Sequence, residues 1–176
     1  MKLEASQPAR DFEVDDIHGS HVALRDYAGK KLMLSFYRYA SCPLCNLRIS
    51  ELIQLYPSFH EKGLSMVAFW QSPRESILQH VGKQDVPFPI IPDPERKVYR
   101  LYGVESSWMG YLRGGMRLSR MARAFRKGFL PGKAEGETTL LPADFLVGPD
   151  LTIQTAYYGK DIGDHLPIGE IERFLG

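Results

Sequence analysis

The sequence predicts an α/β fold, in which helices cover both faces of a mixed β-sheet. Apolar runs of strand length alternate with stretches of helical periodicity in the first half of the chain, and a strand hairpin and a final helix come near its end. Helices that join successive strands favour parallel pairing, and the late hairpin adds antiparallel pairing. With 176 residues, 44% of them apolar, the chain can bury a sizeable core, and we expect one domain over residues 1–176.

Alternation, continuous apolar runs and helical spacing place the elements along the chain. Ser72, Pro73 and Glu75 match a capping box with proline at the first helical position, and Pro57 should kink or stop the helix that contains it. The predicted elements are strands at 11–14 and 21–24, a central strand at 32–37, a helix after Cys42, a doubly buried strand at 64–70, a helix from 73 to about 83, a strand at 88–91, a helix at 94–102, a hairpin of 144–147 with 151–157, and a final helix at 169–175.

Both cysteines of the chain stand two residues apart, where the central strand gives way to a helix. Pro43 suits the first position of that helix, because the N–H that it lacks would have no partner there. Cys42 then lies at the amino end of the helix, where unpaired N–H groups and the helix dipole stabilise a thiolate. Cys45 lies one turn further along on nearly the same face and can attack a mixed disulfide on Cys42. The spacing predicts a redox dithiol with Cys42 as the nucleophile.

Two other interpretations of the cysteine pair stay open. Such a pair can supply half of a zinc site, which needs two further sulfur or nitrogen ligands. The sequence has no third cysteine and no pair of histidines separated by the three to five residues typical of zinc ligands. Its histidines are His18, His21, His60, His80 and His165. The cysteines could also be inert structural residues, but the strand–loop–helix context favours redox chemistry. We therefore expect neither a metal nor an organic cofactor.

Charge and hydropathy indicate where in the cell this chemistry takes place. The net charge of +1 gives no global attraction to nucleic acid or membrane. No apolar run approaches membrane length, and residues 1–10 lack the apolar core of a signal peptide. We expect a cytoplasmic protein, in which a dithiol rests reduced and acts catalytically.

One basic stretch lies within a segment of about 105–137 that we interpret as an insertion. Between 110 and 133 it has no acidic residue and carries Arg113, Arg117, Arg120, Arg123, Arg126, Lys127 and Lys133. Its apolar residues recur on one face of a helix: Leu118, Met121, Ala122, Phe125 and Phe129. Such a helix could lie on an anionic membrane, bind an acidic partner or cover the active site as a lid. We favour a simpler interpretation, in which the apolar face packs on the body or on a second subunit of a homodimer, the arginines face water, and the protein does not bind membranes at physiological salt.

The order of several short motifs resembles a known family. The motifs are Asp11-Phe12 with Asp15, Asp26-Tyr27-Ala28-Gly29-Lys30, the strand into Cys42, Asp93-Pro94-Glu95, Tyr102-Gly103-Val104, and Phe145-Leu146-Val147 with Pro149-Asp150. Together they resemble the alkyl hydroperoxide reductase/thiol-specific antioxidant group, the peroxiredoxin-like branch of the thioredoxin fold. The resemblance implies a thioredoxin-type sheet with helices on both faces and a cysteine-based reaction.

The sequence departs from the peroxiredoxin pattern at two places. Peroxiredoxins usually carry P-x-x-x-T-x-x-C, but Ser35 and Tyr39 stand at the proline and threonine positions before Cys42. Pro142 stands where the family usually has its second arginine, three residues before Phe145. Thioredoxins place a cis-proline opposite the dithiol at this point, so we expect a cis Leu141–Pro142 bond that faces Cys42 and forms a groove for an extended partner.

These features together predict a reaction cycle. The Cys42 thiolate attacks a disulfide or the O–O bond of a peroxide, Cys45 resolves the product, and a thiol reductant such as thioredoxin or glutathione restores the dithiol. Pro142 and Arg38 would position the substrate, although a solvated surface arginine is the simpler interpretation of Arg38. Two rival functions are a peroxidase with an unusual pocket and a binding module whose dithiol senses redox state.

Overall fold

The computed structural model describes residues 1–115 and 117–176, so residue 116 of the predicted basic helix lies outside the described residues. Its strands are β1 (Glu13–Asp15), β2 (His21–Ala23), β3 (Lys31–Tyr37), β4 (Leu64–Trp70), β5 (Ile90–Pro92), β6 (Ala143–Val147) and β7 (Ile153–Tyr158). Its α-helices are α1 (Pro43–Glu61), α2 (Arg74–His80), α3 (Lys97–Leu101), α4 (Trp108–Gly115), α5 (Leu118–Arg126) and α6 (Ile168–Leu175).

Five strands form the central sheet in the order β5-β4-β3-β6-β7. The central strand β3 pairs in parallel with β4 and antiparallel with β6, while β5 continues the parallel half and β7 the antiparallel half. The sheet is therefore mixed, as predicted, and the short β1–β2 hairpin at the amino end is also confirmed.

The two faces of the sheet carry separate apolar clusters. Along β3, Leu34 and Phe36 point into one cluster, whereas Met33 and Tyr37 point into the other, because successive side chains of a strand face opposite sides. The second cluster also holds Cys42, Cys45 and the inner face of α1. Helix α1 is thus fixed against the sheet, and the cysteines are fixed with it.

Pro57 does not stop its helix, and one predicted helix start is wrong. Helix α1 continues through Pro57 to Glu61, with Phe59 buried beyond the proline, so of the two effects predicted for Pro57 the stop is excluded. Ser72 does not cap α2, because Pro73 is the cap residue and makes no side-chain capping bond. The Ser72 hydroxyl instead accepts a hydrogen bond from the backbone N–H of Ala40 at 2.9 Å. Ser72 therefore stabilises the loop before Cys42 and not the start of α2.

The basic segment folds as two helices, α4 and α5, rather than one. Gly114 lies against Ile162 so closely that a Cβ there would come within 2.1 Å of the Ile162 side chain, and this glycine lets α4 approach the loop after β7. The predicted apolar stripe of α5 packs on the body only in part, because Met121 lies against the core cluster while Leu118 and Phe125 are exposed. No helix in the described part of the chain is long and apolar enough to cross a membrane.

Three arginines help to hold α5 to the body. Arg117 binds the carboxylate of Asp161 at 2.7 Å and 3.0 Å through two nitrogens. Arg120 donates to the Gly163 carbonyl at 2.6 Å. On the other side, Arg123 forms an ion pair of 3.2 Å with Glu51 of α1. The expectation that the arginines face water is therefore wrong for Arg117 and Arg120, which are half-buried, whereas Arg123 stays exposed beside its partner, as do the other arginines of the segment.

Candidate active site

The loop that joins β3 to α1 places Cys42 at the N-cap of the helix. Pro43 occupies the first helical turn, as predicted. The Asn46 amide donates to the carbonyls of Ala40 at 2.7 Å and Cys42 at 3.0 Å, which ties this turn to the helix. The local sequence thus fixes the backbone on both sides of Cys42.

The two thiols are free, buried and in contact. The Cys45 and Cys42 sulfur atoms lie 2.8 Å apart, and the Cys45 backbone N–H donates to the Cys42 sulfur at 3.4 Å. A guanidinium nitrogen of Arg38 donates to the same sulfur at 3.3 Å. Three donors therefore converge on Cys42, which is the arrangement that stabilises a thiolate.

The two cysteines respond to these surroundings in opposite directions. Burial alone would raise the pKa of Cys42, but hydrogen bonds from Cys45 and the charge of Arg38 outweigh it and lower that pKa to about 6. Burial, with the hydrogen bond to Cys42 and its negative charge, raises the pKa of Cys45 well above the ordinary value. At neutral pH the pair therefore holds one thiolate, on Cys42, and one thiol, on Cys45.

Arg38 is part of this site and not a solvated residue. Its side chain is only 1% exposed, and a second guanidinium nitrogen donates to the Thr138 carbonyl. The guanidinium carbon lies 4.8 Å from the ring centre of Tyr39 and 5.7 Å from that of Tyr111. Two aromatic faces and a carbonyl fix the cation beside the sulfur. Sequence alone placed Arg38 near Cys42 but gave no signal for Tyr111 or Thr138.

A cavity of about 300 Å³ opens onto Cys42. Besides Arg38 and Tyr39, the lining is mainly apolar and comes from α1, α4, α5 and two loops: Pro43, Leu44, Tyr111, Leu112, Gly115, Met121, Phe125, Pro131 and Ile162. The insertion thus supplies much of one wall. A small molecule can occupy this space, whereas Cys42 itself is 1% exposed.

The predicted role of Pro142 is wrong. The Leu141–Pro142 bond is trans, since none of the described peptide bonds is cis. Leu141 donates its N–H to the Glu105 carbonyl at 3.0 Å, and the Pro142 carbonyl accepts from Gly159 at 2.9 Å. These strand-like hydrogen bonds hold the segment extended, and Pro142 lines a different cavity from Cys42. The structure therefore contains no cis-proline groove at the dithiol within the described residues.

A buried polar cluster on the same sheet escaped prediction. Asp144 of β6 lies opposite Ser35 of β3, bonds its hydroxyl, and accepts from the His165 ring at 3.0 Å and the Leu166 N–H at 2.7 Å. Burial opposes ionisation, but the charges and hydrogen bonds of His165, Arg48 and Ser35 lower the pKa of Asp144 overall. A single acidic residue inside an apolar strand was the only signal for it in the sequence.

The family follows from a match of most of the chain. A family model described as AhpC/TSA family matches residues 5–156. The chain belongs to the AhpC/TSA family. This confirms the resemblance drawn from the motifs around Cys42 and in the later strands.

Proteins similar to this AhpC/TSA family chain include a curated relative and solved structures. The thiol-disulfide oxidoreductase ResA of Bacillus thuringiensis subsp. konkukian is 30% identical over 104 residues, which cover 58% of this chain and 60% of that protein. The chain thus spans less than two thirds of the length of this curated relative. The similar solved structures include peroxidoxin BcpB of Mycobacterium tuberculosis, with a TM-score of 0.70, 17% identity and coverage of 98% of this chain and 96% of that one.

A second solved structure matches the fold of this chain as well as the first. PrxQ of Xylella fastidiosa, solved as a cysteine-to-serine mutant, has a TM-score of 0.70 at 16% identity and covers 99% of this chain and 94% of that one. At such identities the likeness concerns the fold, which is the thioredoxin-like α/β fold with a mixed central sheet. The predicted fold class is therefore confirmed.

Proposed function

We propose that this protein is a thiol-based antioxidant oxidoreductase in which Cys42 is the nucleophile and Cys45 the resolving thiol. One observation carries the proposal: an Arg38-paired sulfur at a helix amino end, with a second thiol 2.8 Å away. The low pKa of Cys42 makes it a thiolate nucleophile near neutral pH. The raised pKa of Cys45 keeps this residue a protonated thiol until it attacks the oxidised Cys42.

The oxidised substrate that fits the site best is a small hydroperoxide. Cys42 is almost completely buried and lies at a mainly apolar cavity of about 300 Å³, which favours a small molecule over a folded protein disulfide. The thiolate attacks the distal peroxide oxygen, the O–O bond breaks, and a proton completes the alcohol or water that leaves. Cys42 becomes a sulfenic acid. The Cys45 thiol then attacks its sulfur, water leaves, and the Cys42–Cys45 disulfide forms.

Arg38 would act on both partners in the first step. Its guanidinium holds the thiolate, and the same cation can orient the peroxide oxygens and stabilise the charge that develops on the leaving oxygen. Its burial against Tyr39 and Tyr111 keeps it in place through the cycle. Arg38 thus takes the substrate-positioning role, and Pro142 does not share it.

Reduction of disulfides is the second candidate function. The two-residue spacing of the cysteines and the similarity to ResA favour it, because that relative is named a thiol-disulfide oxidoreductase. Such an activity needs the Cys42 sulfur to become accessible to a partner's disulfide. The trans bond at Pro142 removes the groove that would have favoured it.

The cycle closes with two electrons from an external thiol. Thioredoxin or glutathione would attack the Cys42–Cys45 disulfide and restore the dithiol. We place the reaction in the cytoplasm, where the redox poise keeps such a pair reduced between turnovers. We also propose that residues 1–176 act as one domain, with the segment of about 105–137 forming part of the active-site wall.

A comparison of two oxidants tests this proposal. The reduced protein is mixed with hydrogen peroxide or with a disulfide-bonded protein, and loss of free thiols is followed in time. We expect faster oxidation by the peroxide, with Cys42→Ser as the inactive control. Faster oxidation by the protein disulfide would assign the chain to the second candidate, and no reaction with either would overturn the proposal.

A further inference from the structure

Exposed large apolar side chains are concentrated in one part of the molecule. Eight such residues are exposed in the described structure, and six of them lie between residues 108 and 130. These six, which we call the insertion surface, are between 43% and 75% exposed: Trp108, Met109, Leu112, Leu118, Phe125 and Leu130. Scattered apolar residues on a surface are ordinary, but a cluster of this kind marks an interaction site.

The insertion surface adjoins the entrance to the Cys42 cavity. Leu112 of α4 and Phe125 of α5 are exposed and also line that cavity. Leu130 stands next to Pro131, another lining residue, and Trp108 stacks on the lining residue Tyr111 with 5.6 Å between ring centres. Whatever covers this surface therefore lies against the opening through which Cys42 is reached.

The charges of the same segment show what kind of partner suits it. Residues 108–133 contain seven lysines and arginines and no acidic residue. Arg117, Arg120 and Arg123 bind the body, as described above. Arg113, Arg126 and Lys133 form no ion pair or side-chain hydrogen bond with the residues that the structure describes, and all three are exposed. The surface is thus apolar and has cations available for an external anion.

We propose that the insertion surface docks on an anionic lipid bilayer, contrary to our expectation from the sequence, which assumed that the apolar face is covered by the body or by a second subunit. A surface with tryptophan, phenylalanine and leucine beside lysine and arginine suits the boundary between headgroups and acyl chains. A second copy of the chain is a poor occupant, because it would bring two cationic, acid-free segments face to face. An anionic bilayer offers both the apolar depth and the negative charge that this surface lacks.

This docking explains the position of the cavity entrance. A bilayer against the insertion surface places acyl chains next to the mainly apolar cavity that ends at Cys42. On the function proposed above, the substrate class then includes hydroperoxides of lipid acyl chains, which Cys42 reduces to the corresponding alcohols. Docking itself is independent of turnover and can be measured without a peroxide.

Vesicle flotation tests the docking directly. The reduced full chain is mixed with phosphatidylcholine vesicles that contain or lack phosphatidylglycerol, at about 0.1 M salt, where charges act over roughly 10 Å. We expect the protein to float only with the anionic vesicles and to be released at high salt. Leu118→Asp should weaken binding at least about tenfold, since a leucine that would enter the apolar part of the bilayer is lost. Arg126→Gln should weaken it about fivefold, since one cation is lost.

Matched variants elsewhere on the surface serve as controls. Leu101→Asp removes an exposed leucine of α3, and Arg10→Gln removes an exposed arginine near the amino end, so neither should change binding. The proposal is overturned if the protein stays in solution with anionic vesicles, or if Leu101→Asp weakens binding as much as Leu118→Asp. Binding to polyglutamate but not to vesicles would assign the surface to an acidic protein instead. A lipid-free dimer that Leu118→Asp dissociates would assign it to a second copy.

A second measurement separates docking from chemistry. Anionic vesicles that contain phospholipid hydroperoxide are compared with hydrogen peroxide in solution. Leu118→Asp should slow reduction of the vesicle substrate at least about tenfold, in step with the lost binding, and leave hydrogen peroxide reduction unchanged. Flotation without reduction of either peroxide would reject the proposed function and leave docking supported. Equal rates of vesicle peroxide reduction by the unchanged protein and by Leu118→Asp would reject docking as a route to the substrate.

Discussion

Arginines do different work in the dithiol loop (residues 38–45) and in the insertion. In the dithiol loop, the buried Arg38 faces a sulfur whose ionisation lies close to neutral pH. In the insertion, Arg117 binds the carboxylate of Asp161 through two nitrogens, which ties the start of α5 to the loop after β7. The same guanidinium therefore tunes reactivity in one region and fixes position in the other. The chemistry of the acceptor decides which effect an arginine has.

The largest expected effects come from the two cysteines. Cys42→Ser should abolish peroxide reduction, because no other nucleophile faces the cavity in the described structure. Cys45→Ser should still consume one equivalent of peroxide, since attack survives, and should then stop as a Cys42 sulfenic acid or as a mixed disulfide with added thiol. Mass spectrometry after one equivalent of peroxide distinguishes these species. Full turnover by Cys45→Ser with a small thiol present would show that Cys45 is dispensable for resolution.

Substitution of Arg38 tests whether this residue stabilises the Cys42 thiolate. Arg38→Met removes the cation beside Cys42, and loss of an opposite charge at this distance should raise the thiol pKa by roughly 1–3 units. Starting from a pKa of about 6, this rise lowers the thiolate fraction at pH 7 by roughly twofold to a hundredfold, so the rate of peroxide reduction should fall accordingly and recover partly as the pH rises. Arg117→Met is the matched control and should leave this pH profile unchanged. A profile that Arg38→Met does not move would contradict the assignment of Arg38 to the thiolate.

The buried Asp144 cluster should affect stability and not chemistry. Asp144→Asn leaves His165 without its carboxylate, which should lower the free energy of unfolding by about 3 kcal/mol near neutral pH. Because the folded pKa of Asp144 lies below its unfolded value, its contribution is fully present above about pH 4 and is lost as the pH falls through the folded pKa. Urea unfolding at several pH values measures both effects. Substitution of an exposed carboxylate, Asp15→Asn, serves as control. Equal losses of unfolding free energy in the two variants would show that the buried Asp144 cluster does not stabilise the fold.

The smallest expected effects concern the anchors of the insertion. Arg117→Met should lower the free energy of unfolding by about 1 kcal/mol, because its ion pair is half-buried and has two hydrogen bonds. Arg126→Met should cost less than about 0.5 kcal/mol, since Arg126 has no ion pair in the described structure. Hydrogen exchange of α5 amides reports the local effect. Equal protection in both variants would mean that Arg117 does not anchor this helix.

The sequence predicted most of the fold because its signals are local. The buried strand at 64–70 is observed with the predicted bounds, since a continuous apolar run needs burial on both faces. The Cys42 position followed from Pro43 and the helical spacing beyond it. Ser72 was misassigned because a backbone N–H from another loop took the hydroxyl that a cap would have used. That contact is not visible in neighbouring residues.

The remaining parts of the site depend on contacts between distant segments. The orientation of α5 is set by Asp161 and Glu51, which attract arginines inward and leave Leu118 outside. Helical periodicity identifies an apolar stripe but does not say which side it faces when charged partners compete for the arginines. Pro142 was placed by analogy with thioredoxins, whereas its peptide bond is trans and backbone hydrogen bonds tie this segment to Glu105 and Gly159.

Site-resolved alkylation across pH is the most direct test of Cys42 as the nucleophile of the dithiol. The reduced protein is pulsed with iodoacetamide from pH 5 to pH 9, and the label on each cysteine is quantified by mass spectrometry. We expect Cys42 to be labelled first, at a rate that rises through a midpoint of about 6, while Cys45 remains largely unlabelled over the same pulse. Labelling of Cys45 first, or a Cys42 midpoint near that of an ordinary thiol, would contradict it.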